Sequence, residues 1–105
     1  MRKIKVVIKR PDEPIGHMAH ISDSLWNLQT IVEGYIEIVR IADDMVVICN
    51  EEGRLRDLPF NCRIDGEDLV GTLIFAGVDG EEITDMPISF NSYKRMFGLG
   101  KWREA

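Results

Sequence analysis

The run 45–49, MVVIC, is apolar at every position, and no other feature of the chain limits its folding as much. Successive side chains of a β-strand point to opposite sides of the sheet, so a strand that is apolar throughout has to be covered on both. The run is also far shorter than the roughly 20 apolar residues that cross a bilayer. It therefore predicts a central strand with a helix packed on at least one side. The preceding stretch 35–41 is rich in β-branched residues. Ala42-Asp43-Asp44 between the two reads as the short turn of an antiparallel hairpin.

Around this centre the pattern is mixed. Ile4, Val6 and Ile8 alternate with Lys3, Lys5 and Lys9, the period of a strand with one dry and one wet face, and wet-face lysines suit a sheet edge. Pro11 and Pro14 bracket an acidic turn, after which 16–21 is read as a returning strand. Asp23 and Ser24 offer capping oxygens to a helix whose stripe is Leu25, Leu28 and Val32, with Trp26 and Ile31 beside it. Gly34 is the expected left-handed residue at its end. Glu51-Glu52-Gly53 forms a tight turn, with Gly53 at positive φ. The stretch 69–78 is expected as one strand in which Gly71 and Gly77 mark a bulge or a close backbone approach; Asp79-Gly80 is a turn. Ser89 caps a last helix carrying Phe90, Tyr93 and Phe97, and 98–105 is expected to fray. The order implies an α+β fold in two layers: a small, mainly antiparallel β-sheet with two short helices packed on it. The span 1–105 is read as a single domain.

Several function classes find no support. Eighteen acidic against thirteen basic residues give a net charge of −5, which opposes affinity for phosphate backbones, so direct nucleic-acid binding is not expected. The start of the chain returns to charge at Lys9 and Arg10, too soon for the apolar core of a secretory leader. Cys49 and Cys62 lack Cys-x-x-Cys spacing and are expected as free thiols in a cytoplasmic setting. His17 and His20, three apart on a strand, fall on opposite faces, and neither metal nor cofactor is expected. Ser22, Ser24, Ser89 and Ser92 lie in cap or turn contexts with no Gly-x-Ser-x-Gly elbow. Gly98-Leu99-Gly100-Lys101 follows a helix and is succeeded by Trp102, so it is not a phosphate loop. No catalytic residue is assigned, and an enzyme of unrecognised type stands only as a second alternative.

The stretch 50–63, NEEGRLRDLPFNCR, is the most unusual of the chain. It joins a turn, arginines, a rigid proline, an exposed-looking Phe60 and two asparagines directly after the central strand, where a rigid scaffold can present binding groups. The binding candidates are Asn50, Glu51, Glu52, Gly53, Arg54, Arg56, Phe60, Asn61 and Arg63, with Tyr35 if the hairpin brings it near. Arginine forks suit carboxylate or phosphate, and the asparagines add directional hydrogen bonds. The plainer reading pairs Arg54 and Arg56 with Glu51, Glu52 or Asp57. Leu55 and Leu58 are expected to plug the core.

This stretch resembles the signature of a family of small domains of unknown function found in phage, plasmid and other bacterial mobile-element proteins. The pattern runs Asn-Glu-Glu-Gly-basic-Leu-x-x-Leu-Pro-x-Asn-Arg, met here by Asn50, Glu51, Glu52, Gly53, Arg54, Leu55, Leu58, Pro59 and Asn61. The family usually has a proline and then Asn-Arg where this chain runs Phe60, Asn61, Cys62 and Arg63, so no role carries over to Arg63. The resemblance extends to the helix ending in Gly34-Tyr35-Ile36-Glu37, to the strand at Val46-Val47-Ile48-Cys49, to the 68–77 strand and to the 93–97 helix. It implies a mobile-element origin and no settled activity. The leading expectation is a non-enzymatic accessory or regulatory protein that contacts another protein, a host-defence component being one such target. The alternative is a small-molecule or nucleotide-binding module built on 50–63, and a homo-oligomer is left open.

Overall fold

The computed structural model describes residues 2–98. Along the chain come β1 (Lys3–Lys9), β2 (His17–Ser22), α1 (Leu25–Val32), β3 (Ile36–Ala42), β4 (Met45–Asn50), β5 (Phe60–Ile64), β6 (Glu67–Val70), β7 (Leu73–Asp79), β8 (Glu82–Thr84) and α2 (Phe90–Gly98). As the apolar run requires, every residue of β4 is buried. The antiparallel sheet has the order β2-β1-β7-β4-β3, with β8 added to β7, while β5 and β6 form a separate hairpin. Thus β4 is interior, between β7 and β3, and β3 lies at an edge.

Alternation divides the core between the two faces of the sheet. Ile4, Val6, Ile8, Val46, Ile48, Ile74 and Ala76 pack on one side with Leu28 and Val32 of α1. Val7, Val47, Cys49 and Phe75 pack on the other with Cys62, Ile64 and Leu69 of the β5–β6 hairpin and Tyr93 of α2. Tyr93 meets Phe75 edge-on at 5.2 Å between ring centroids, and its hydroxyl donates to the carbonyl of Ile15 at 2.7 Å. The fold is a small α+β domain with a mainly antiparallel sheet and two short helices against it. One detail changes: the helices take opposite faces, so the hairpin and α2 form a third layer where two were expected.

Ser24 caps α1 as expected, its hydroxyl accepting from the Asn27 N–H at 3.2 Å, and 17–22 returns as a strand beside β1. Four local expectations are corrected. The first strand is interior, between β2 and β7, and Lys9 is only 3% exposed; Asn61 of the β5–β6 hairpin bonds its ammonium, so the Lys9 end of what alternation reads as a wet face is covered while Lys3 stays exposed. Glu33, not Gly34, is left-handed, at φ 65°. Gly53 is buried and not at positive φ; Asp57 carries that conformation, at φ 55°. The expected 69–78 strand is two strands in different sheets, parted at Gly71, which turns at a φ of 74°. The C-terminal tail and the Gly98–Lys101 stretch beyond residue 98 lie outside the described residues. Among those described, no helix is long and apolar enough to cross a membrane.

Gly77 is the close approach read from the sequence: a Cβ there would overlap the carbonyl oxygen of Asp85. Backbone cannot give way as a side-chain tip can, so Gly77→Ala should lose about 2–3 kcal/mol. Gly80, at φ 63° with open space around it, should accept asparagine for under about 1 kcal/mol. Urea melts of the two variants check the contrast.

Candidate functional site

The 50–63 stretch is held from beneath by two buried amides. Asn50 ends β4, and its Nδ2 donates to the carbonyls of Val32 at 3.0 Å and Glu33 at 3.2 Å. Its Oδ1 accepts the N–H of Glu52 at 2.7 Å. The last carbonyls of a helix have no partner within it; here Asn50 supplies one, and Arg56 adds another by donating from Nη1 to the Glu33 carbonyl at 2.6 Å. Those bonds secure Glu33 in its left-handed conformation. Asn61 plays the matching part at the far end. Its Nδ2 donates to the carbonyls of Lys9 and Gly71, both at 2.8 Å, while its Oδ1 accepts from Lys9 Nζ at 2.7 Å.

Of the remaining candidates Gly53 is buried, Arg63 is half-buried, and Tyr35, Glu51, Glu52, Arg54, Arg56 and Phe60 lie at the surface. Arg54 donates from Nη2 to the Asp68 carbonyl at 2.7 Å and lies 3.8 Å from the Glu67 carboxylate. Arg63 pairs with Asp68 at 2.6 Å. All three arginines of the stretch therefore meet acceptors within the chain, though Arg54 and Arg56 choose neither Glu51, Glu52 nor Asp57. Glu51 and Glu52 are exposed. Tyr35 is brought near, its carbonyl accepting the Glu51 N–H at 2.8 Å. The two leucines part company: Leu58 is half-buried, near Gly53 and Gly71, whereas Leu55 is 88% exposed and plugs nothing. Phe60 is 56% exposed and Tyr35 66%.

Between β3–β4 and the β5–β6 hairpin lies a cleft of about 170 Å³. Val39, Cys49, Leu69 and Val70 supply its apolar surface; Glu37, Glu51, Glu67 and Asp68 stand around it with Arg54 and Leu55. Sequence reasoning missed Glu37, Glu67 and Asp68 because it missed the hairpin. The available signal was Asp65-Gly66, a two-residue turn with both residues at positive φ between short apolar segments.

A family model for a domain of unknown function, DUF3846, matches residues 4–98. The chain belongs to this family. No curated protein and no solved structure matches the chain. The match takes in both amide anchors and the whole lining of the cleft, so the DUF3846 domain includes the site from end to end.

Chemically, the cleft of this DUF3846 domain offers charge and apolar contact. Burial, then Glu37 and, against Arg54, Glu67, push the Cys49 thiol up to about 11, so at neutral pH it is a protonated thiol and a poor nucleophile. Both cysteines are buried and neither is in a disulfide. Among the described residues no group of three His, Cys, Asp or Glu could hold a metal ion; His17 instead meets Glu13 at 2.8 Å.

Asn50→Ala deprives the Val32 carbonyl and the Glu52 N–H of their side-chain partner, leaves the Glu33 carbonyl to Arg56 alone, and should cost about 2–3 kcal/mol, whereas Arg54→Ala at the surface should cost under about 1 kcal/mol. Chemical denaturation of the two variants measures both. A second outcome concerns alkaline pH. The unfolded chain releases the Cys49 proton near pH 9 and the folded chain only near 11, so stability should fall across that window. Burial raises the Tyr93 hydroxyl as well, so Cys49→Ala should reduce the fall without abolishing it, as urea melts through the window would show.

Proposed function

We propose that this domain is a non-enzymatic accessory or regulatory protein of a bacterial mobile element, working by contact with another protein through the surface around the cleft. The observation that carries this reading is the pairing of exposed large apolar side chains with a fixed backbone. Leu55 lines the cleft; Phe60 pairs across the hairpin with Val70, which also lines it; Tyr35 is bonded to Glu51 at its rim. The asparagine anchors hold the backbone beneath them, so little conformational entropy is lost when a partner docks. Aromatic residues of this kind carry much of the energy in protein interfaces.

Magnitudes favour a protein partner over the small-ligand alternative. Pockets for small molecules usually enclose about 300–1,000 Å³, and this cleft encloses about 170 Å³. Its carboxylates also oppose a nucleotide's phosphates. The reluctance of the Cys49 thiol to ionise weighs against covalent catalysis. The mobile-element setting rests on the resemblance of the 50–63 signature, and the genes flanking this one test it.

The contact reading is tested with Leu55→Asp/Phe60→Ser, two exposed positions whose change should leave the thermal melt within a few degrees of wild type. A host protein retained by the wild-type domain and lost to this folded variant is the expected result. Equal retention by both, or none above background by either, would overturn the proposal.

A further inference from the structure

The cleft itself has a chemical preference. Four carboxylates, on Glu37, Glu51, Glu67 and Asp68, face one guanidinium, on Arg54, around an apolar surface of Val39, Leu69 and Val70. The acids divide into two pairs. At one end Arg54 already serves Asp68 and Glu67, and Arg63 serves Asp68 from outside. At the other end Glu37 and Glu51 are exposed and, among the described residues, form no ion pair. Arg54 thus shows within the chain how a guanidinium sits against this lining, and Glu37 and Glu51 add two further carboxylates to it without a cation of their own.

We infer that the cleft receives a lysine or arginine side chain of the partner protein, flanked by apolar residues. This inference rests on the protein-contact reading above and names the partner's chemistry at the same site. Lysine and arginine carry an aliphatic stem below a charged head. The stem would lie along Val39 and Leu69 while the head approaches Glu37 and Glu51; the flanking apolar residues would meet Leu55 and Tyr35. A cleft of about 170 Å³ has room for one such side chain and not for a folded element. Burial is the main reason the Cys49 thiol holds its proton, but Glu37 adds to it by more than Arg54 opposes, which agrees with a negative lining. An acidic or phosphorylated segment would meet repulsion in the same place.

Two capped tripeptides, Leu-Arg-Leu and Leu-Glu-Leu, are suitable probes against the isotope-labelled full chain. The arginine peptide should shift the amide resonances of Glu37, Cys49, Glu51 and Leu69. Its Kd should rise by about fivefold or more between about 50 and about 300 mM salt, because the charges are screened. Glu37→Gln/Glu51→Gln, which changes only exposed side chains, should weaken it to a similar degree, and Leu-Glu-Leu should produce no shifts at the cleft. Equal shifts from both peptides, shifts confined to other surfaces, or none at about 5 mM peptide overturn the inference. The two readings also fail separately. A partner retained equally by wild type and Glu37→Gln/Glu51→Gln, yet lost to Leu55→Asp/Phe60→Ser, overturns the basic-side-chain inference and leaves the contact reading standing.

Discussion

Strands β4 and β7 pair from Met45 opposite Gly77 to Ile48 opposite Ile74, and the side chains along this seam are buried on both faces of the sheet. A pair covered on both sides cannot be satisfied by one helix. The rest of the chain supplies two lids, α1 for one face and the β5–β6 hairpin with α2 for the other. Register is strongly constrained as well, because a slip by one residue would exchange the two faces and mismatch both lids at once. The positions of the edge strands, the crossover helix and the hairpin follow from covering that seam.

Leaving the centre creates a polar difficulty. The chain exits β4 at Asn50 close to the carbonyl end of α1 and returns at Asn61 beside the end of β1, in places that are buried and hold backbone groups without ladder partners. Amide side chains suit such places because each presents donors and an acceptor in one plane. They carry the same short stretch between two fixed points, and at the second point they also accept from the buried ammonium of Lys9. No buried side-chain nitrogen or oxygen among the described residues lacks a partner. The surface stretch is therefore as well determined as the core beneath it.

Much of this was legible in the sequence. The all-apolar run placed the central strand, the β-branched flanks and Asp43-Asp44 gave the hairpin, and Ser24 and Ser89 marked helix starts whose caps are present. What escaped has physical causes. Alternation records which residues differ in polarity but not what lies over the polar set, so Lys9 read as wet when a second layer covers it. Gly71 read as a bulge or close approach because its neighbours look strand-like on both sides; its positive φ marks the point where the chain leaves the hairpin for the main sheet. Leu55 and Leu58, three apart in a turn, carry no periodicity to say which one faces inward. The cleft depended on the hairpin and was invisible for that reason, while Tyr35 and Phe60 could be named in sequence before their shared surroundings were known.

The edge position of β3 bears on how the protein behaves when concentrated. An outer strand whose backbone has no partner on one side invites a strand from a neighbouring molecule, which is how ordered aggregates begin. Here Ile38 is exposed on that strand, a liability in itself. Glu37 and Arg40 flank it with charges of opposite sign, and the ladder to β4 is irregular between Arg40 and Ala42, so a straight incoming strand would lose its alignment partway along. The same Glu37 that borders the cleft thus also sets a charge on the open edge of the sheet, where it disfavours pairing with a neighbouring molecule's strand.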